Sequence, residues 1–314
     1  MVRIFERFIV KVFFKTSTRQ NDDYKRENNQ VNITLLPGSP FDAVACGTIC
    51  HRAFTELSDR HGFPPLFARP EAAIGLVSEQ LSHPAYYSVI AELDGRVVGS
   101  SFLDERSNIA AIGPTSIEPD LQKDEIGRLL MRDVLERAER QRFTGVRLVQ
   151  EAYNSESLPF YTRLGFEVRE PLALMQGHPL TIQTPGYTVR PATENQLETC
   201  DQMSIKVHGH HRSGELLDAI KAGTATFVER DGRVTGYATT LSFFGHALGE
   251  TNEDLKALIA ATPEYAGPGF LLPTRNSELF CWCLESGFRV VSPFTLMSLG
   301  FYSKPKGVFL PSAH

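Results

Sequence analysis

Apolar residues along the chain change period several times, and each change marks an element. From Ile126 to Arg142, the residues Ile126, Leu129, Leu130, Val134 and Ala138 recur at helical spacing. Arg132, Glu136, Arg137 and Glu139 fall mostly elsewhere, which predicts an amphipathic helix. The run 145–152 reads as a strand, and 154–166 as a short capped helix with Gly165 just past its end. Pro159 must fall in the first turn of that helix, where its missing N–H costs little. Ahead of the long helix, the stretch from Ile112 to Ile117 reads as a strand feeding a tight loop. Backbone N–H groups at the helix start, backed by the helix dipole, would attract an anion such as a pyrophosphate. Gly127 would let that ligand approach the backbone closely.

The plan occurs twice. Glu92-Leu93-Asp94-Gly95-Arg96-Val97-Val98-Gly99 recurs as Glu229-Arg230-Asp231-Gly232-Arg233-Val234-Thr235-Gly236, each copy placing Asp-Gly between β-rich segments as a hairpin does. Asn154-Ser155-Glu156 recurs as Asn276-Ser277-Glu278, and Gly165-Phe166 as Gly287-Phe288. Gly99 lies 55 positions before Asn154, whereas Gly236 lies 40 before Asn276. The missing residues fall where the first copy has its loop and long helix, and the second offers only Glu250 to Ile259, a helix start without a glycine. Aligning the Gly-Phe pairs sets Cys283 opposite Tyr161.

Two of these segments together resemble the GNAT superfamily of acyl-CoA-dependent N-acetyltransferases. Gln122-Lys123-Asp124-Glu125-Ile126-Gly127 stands at the family's Gln/Arg-x-x-Gly-x-Gly/Ala motif, and Asn154 followed by Phe160-Tyr161-Thr162-Arg163-Leu164-Gly165-Phe166 stands at its next motif. The resemblance covers roughly Asn32 to Gly177. It implies an α/β fold of two tandem GNAT-like domains, each a mixed twisted sheet flanked by helices. The catalytic domain would span 31–177 and a degenerate second copy 186–303, supporting the first or closing over its cleft. Gly177, Pro179, Pro185 and Gly186 mark the boundary.

The resemblance also implies the chemistry: transfer of an acetyl group from acetyl-CoA to an amine of a small molecule or peptide. Pantetheine and pyrophosphate would lie along Ile117, Glu118 and Pro119 and then Gln122, Lys123, Asp124, Glu125, Ile126, Gly127 and Arg128, with Asn154 against the pantetheine arm or capping its own helix. Tyr161 falls on the family's general-acid tyrosine, although an aromatic residue there could equally pack against the sheet. No acid lies between Asn108 and Ile117, so the base must come from Asp104, Glu105, Glu151 or His61; Glu151, ending the strand that borders the expected cleft, is preferred. The acceptor lip falls within 55–69, with His61, Phe63 and Phe67. Glu125 departs from the family by putting a carboxylate where the first loop glycine belongs. That departure and the degenerate copy motivate the alternative, a noncatalytic acyl-CoA-binding or scaffold protein.

Composition narrows the field. The 314 residues are 42% hydrophobic and 22% charged with a net charge of −5, which argues against a general nucleic-acid binder. No apolar run reaches the length of an integral membrane segment. The odd count of five cysteines fits a reducing compartment, and the expected location is cytoplasmic. His208-Gly209-His210-His211 offers no defined tetrahedron, so no metal is expected. Residues 1–30 stand apart as an extension and linker, expected to be disordered. Their Arg3, Arg7, Lys11, Lys15 and Arg19 could also form a basic membrane-surface helix, a reading weakened by β-branched Ile9, Val10 and Val12.

Overall fold

Asp-Gly pairs set the two hairpins that begin the sheets. Asp94 and Gly95 have φ of 51° and 75°, and Asp231 and Gly232 have φ of 54° and 72°, the left-handed pair that a two-residue turn between twisted strands requires. The first turn joins β2 (Tyr86–Leu93) to β3 (Arg96–Asp104), and the second joins β8 (Thr226–Arg230) to β9 (Arg233–Ala238). Both hairpins carry a register shift at the same place, between Ala91 and Glu92 and between Val228 and Glu229. This computed structural model describes residues 33–121, 124–182 and 184–313. The amino-terminal extension, Gln122 and Lys123 lie outside the described residues, as does the side chain of Asp124.

In the first copy, β1 (Ile33–Pro37), α1 (Ala43–His61) and α2 (Pro70–Ser82) precede the hairpin; β4 (Ile109–Ile117), α3 (Asp124–Arg140), β5 (Gly145–Glu151), α4 (Ser157–Arg163) and β6 (Glu167–Gln176) follow it. The second copy runs β7 (Tyr187–Pro191), α5 (Leu197–His208), α6 (Ser213–Lys221), the β8–β9 hairpin, β10 (Ala247–Gly249), α7 (Asn252–Ala261), β11 (Phe270–Pro273), α8 (Ser277–Glu285), β12 (Arg289–Gly300) and β13 (Val308–Leu310). Capping boxes open equivalent turns, Ser39 with Asp42 and Thr193 with Gln196.

The long helix buries Ile126, Leu130, Met131, Val134 and Ala138 against one face of the first sheet. Met131 thus belongs to the stripe in place of Leu129, and the helix starts at Asp124 and ends at Arg140, two residues earlier at each end than periodicity alone suggests. Cys46, Cys50, Ala73 and Val77 of α1 and α2 cover the other face, against Ile90 and Phe102. α4 closes with a Schellman motif: Phe166 N–H donates to Tyr161 O and Gly165 N–H to Thr162 O, with Gly165 at φ 92°.

One connection is absent from the sequence repeat. The eight-stranded sheet runs β1-β2-β3-β4-β5-β12-β6-β11, so β12 of the second copy lies between β5 and β6 of the first. The other sheet, β13-β10-β9-β8-β7, belongs to the second copy. Chain from Ile33 onward forms one compact unit. Its halves also meet at a polar junction, where Arg106 binds Asp218 at 3.2 Å and Arg147 binds Glu215 at 3.3 Å. There His211 is held by Asp201 and its carbonyl by Ser107, which accounts for part of the histidine cluster.

Candidate active site

Strands β4 and β5 run parallel and pair only from Ile109–Ile112 to Gly145–Leu148. Beyond those residues they part, and a cleft of about 250 Å³ opens between Gly113–Ile117 on one side and Val149–Glu151 on the other. Glu118 N–H donates to Val98 O at 2.8 Å, so by antiparallel alternation the N–H groups of Ile117 and Thr115 turn away from β3 into the gap. The Glu118 N–H is spent on β3, and its buried carboxylate pairs with Arg52.

Gly127 lines the far end of the cleft. A Cβ there would stand 3.3 Å from Ile117 Cδ1 and 3.8 Å from Phe160 Cζ, so glycine leaves room that any other residue would fill. Ile126 beside it is buried in the core, so only its backbone can face a ligand. Pro119 begins a short turn ahead of α3, and Glu125 and Arg128 are exposed on the first turn of the helix. Asn154 lines the cleft, but its Oδ1 accepts from the N–H groups of Glu156 and Ser157 at 3.1 and 3.2 Å, which is the capping role.

Glu151 ends β5 and is 7% exposed. Burial pushes its carboxyl from 4.5 up to about 7, with its own backbone N–H pulling the other way. Tyr161 on α4 lines the same cleft, and burial followed by the nearby Glu151 carboxylate holds its phenol well above the ordinary value. The other candidate bases are committed elsewhere. Asp104 binds Arg106 and Tyr86, Glu105 binds Arg137, and exposed His61 lies beside the Tyr153 ring at 5.3 Å. Phe63 stacks on the same ring at 4.2 Å, whereas Phe67 is buried and lines the cleft.

Sequence reasoning missed several lining residues. Gln150 is 3% exposed; its Oε1 accepts from Ser157, and its buried Nε2 has no partner among the described residues. Such an orphan donor in a cleft is unfavourable until a ligand supplies an acceptor. Phe243, Phe244, Phe294 and Ala313 come from the second copy, which therefore walls the cleft of the first. The Phe-Phe pair was visible in the sequence, but nothing local shows which cleft it faces. In the second copy itself, Cys283 at the place of Tyr161 is completely buried in a cluster with Leu279, Phe270, Phe288 and Tyr265, whose hydroxyl donates to Ile259 O.

A splayed parallel strand pair thus opens over a glycine-bearing helix start, beside a buried acid and a phenol. The sequence pattern of the Acetyltransferase (GNAT) family matches residues 51–166. The fold extends further: a candidate acetyltransferase from Pyrococcus horikoshii superposes with a TM-score of 0.68 at 15% identity, covering 92% of this chain and 98% of its own. A GCN5-related N-acetyltransferase from Sphaerobacter thermophilus gives 0.56 at 12% identity, over 87% and 96% of the two chains. A tandem GNAT protein from the clavulanic acid biosynthesis pathway gives 0.50 at 14%, over 86% and 98%. No curated protein matches the chain by sequence. Residues 51–166 thus carry the pattern of the GNAT family, and the chain as a whole has the fold of tandem GNAT proteins. The chemistry of that family is acyl transfer from CoA. No helix among the described residues is long and apolar enough to cross a membrane.

Proposed function

We propose that the protein is an N-acetyltransferase that moves an acetyl group from acetyl-CoA directly to an amine of a small molecule or peptide. Residues 31–177 would carry the chemistry, and 186–303 would support it and wall its cleft. The observation that carries this reading is the meeting of Glu151 and Tyr161 where β4 and β5 part. A carboxyl near 7 is poised to take a proton from an amine at neutral pH, and a phenol held in its protonated form can give one to a leaving thiolate.

The cleft suits an acyl-CoA by its own features. Gly127 keeps the helix start bare, the Ile117 N–H is free of the β3 ladder, and the Gln150 Nε2 lacks an acceptor. When bound, acetyl-CoA supplies the acetyl carbon, whose bond to sulfur breaks as its bond to the amine nitrogen forms. Ile117 N–H is placed to donate to the thioester oxygen, an interaction whose removal costs about 3 kcal/mol in other acyl-transfer sites. Glu151 accepts the amine proton and Tyr161 donates its own to the departing sulfur, after which solvent restores both groups. The products are an amide and the CoA thiol.

Calorimetric titration of the full chain with acetyl-CoA, followed by assay of thiol release with a set of amines, tests the reading. Saturable binding and amine-dependent release support it. Binding without release from any amine would favour the noncatalytic acyl-CoA-binding alternative, and a folded protein that binds nothing would leave a scaffold.

A further inference from the structure

Resting on that reading, we infer that the acceptor is an arylalkylamine or a similarly apolar primary amine with no second charge. The cleft that holds Glu151 is walled in part by Phe54, Leu66 and Phe67 of the first copy and by Phe243, Phe244 and Phe294 of the second, Phe294 standing opposite Glu151 in the ladder. The rings interlock: Phe54 meets Phe67 edge-on at 5.9 Å, Phe243 meets Phe244 edge-on at 5.0 Å, and Phe243 meets Phe294 at 5.2 Å. Phe67, Phe243 and Phe294 are buried, while Phe54, Leu66 and Phe244 keep part of their surface open on the cleft wall.

The charged groups along the wall are few. Glu151 is the buried carboxylate of the lining; Arg60 and Glu156 are exposed, and Arg60 is engaged by Glu56 at 2.8 Å. One amine therefore finds one buried acid, and a second ammonium among the rings would be left without a partner, which a low-dielectric wall disfavours strongly.

The second copy's contribution is preorganised. Thr239 N–H donates to His246 O at 2.9 Å, Gly245 N–H to Ser242 O at 3.2 Å, and His246 N–H to Thr239 Oγ1 at 3.0 Å. A Cβ on Gly245 would stand 2.2 Å from Thr240 O, so this turn admits only glycine. Ala313 N–H donates to Phe243 O at 2.9 Å and ties the tail to the same loop. The ring of Phe244 is thus presented by a braced loop, and it is the specificity-determining residue of the apolar wall.

The test measures kcat/KM by thiol release for the full chain with acetyl-CoA and three acceptors: 2-phenylethylamine, putrescine and lysine. The aromatic amine should lead by about 10²-fold, since an apolar site discriminates roughly 10- to 200-fold per methylene-sized difference. Phe244→Ala should raise KM for 2-phenylethylamine about tenfold and leave acetyl-CoA affinity unchanged, and Phe244→Leu should recover most of the loss. Preference for putrescine or lysine overturns this inference alone. Loss of hexanoyl-CoA turnover in Phe244→Ala, with the 2-phenylethylamine KM unmoved, also overturns it by giving the wall to the acyl chain. Absence of release from every amine overturns the acetyl-transfer reading and this one with it.

Discussion

Leu172 of β6 and Phe294 of β12 face each other across the central ladder, and each stands seven positions after the glycine of its copy's Gly-Phe pair. On either side Pro171 pairs with Thr295 and Ala173 with Pro293, so the register mirrors itself about this one contact. A local twofold axis therefore passes between equivalent residues, and each copy's sixth strand is laid against the other's. Neither half completes its own layer.

Truncation follows from that exchange. A fragment of residues 32–177 would leave β5 without β12 and β6 without both β12 and β11, exposing three unpaired strand edges. It should fail to unfold cooperatively as a monomer, and instead aggregate or self-associate. Sedimentation with chemical denaturation checks this, and a stable cooperative monomer would refute it.

Tyr161→Phe removes the proposed proton donor without emptying the space beside Phe160 and Phe166. Turnover should fall by about 10²-fold or more while acetyl-CoA affinity stays within twofold of the parent value. An unchanged kcat would end the acid role.

The pH dependence of Glu151 has two readouts with opposite signs. As the base it must be ionised, so kcat/KM should rise through about pH 7 and the limb should vanish in Glu151→Gln. For stability, the folded chain holds this proton more tightly than the unfolded one. Stability contributed by the group is complete below pH 4.5 and declines as pH rises through about 7. Glu151→Gln should then be stabilising by about 3 kcal/mol at pH 8 and close to neutral at pH 4. Denaturation midpoints at the two pH values decide it.

Gly127→Ala should separate folding from binding. Alanine favours the helix by up to about 1 kcal/mol, but its Cβ enters the space beside Ile117 and Phe160. The expected outcome is unchanged or higher thermal stability with weaker acetyl-CoA binding, read by calorimetry. Equal affinity would place the ligand elsewhere.

Glu125→Gln tests the departure from the family's loop. The exposed carboxylate sits on the first helical turn, where it favours the dipole yet opposes a phosphate. Removing it should tighten acetyl-CoA binding about two- to fivefold at low salt, an advantage lost as ionic strength rises.

The local parts of this structure were legible because their causes are local. Helical spacing gave α3, the Asp-Gly pairs gave both hairpins, and Gly165 gave the end of α4. Tyr161 could be singled out from its motif and Glu151 from its place at the end of a strand, but the burial that shifts them could not, since it depends on strands far away in sequence. The entry of β12 beside β5, with Phe294 opposite Glu151, rests on pairing between residues more than a hundred positions apart. Nothing near Phe294, Phe243 or Phe244 records which cleft they enclose. Gln150 was overlooked for a different reason: an amide on an apolar strand looks like a solvent-facing position until its neighbours are known.

The strand exchange also constrains how this chain can change over time. Copies that merely abut can be lost or shuffled independently, but these two share a layer, so deleting either removes a structural member of both. The second half carries Cys283 where the first has Tyr161 and the shorter α7 where the first has α3, and what it contributes to the shared layer is the backbone course of β12 and the braced loop behind it. Substitutions in the second half can therefore reshape the wall of the cleft in the first.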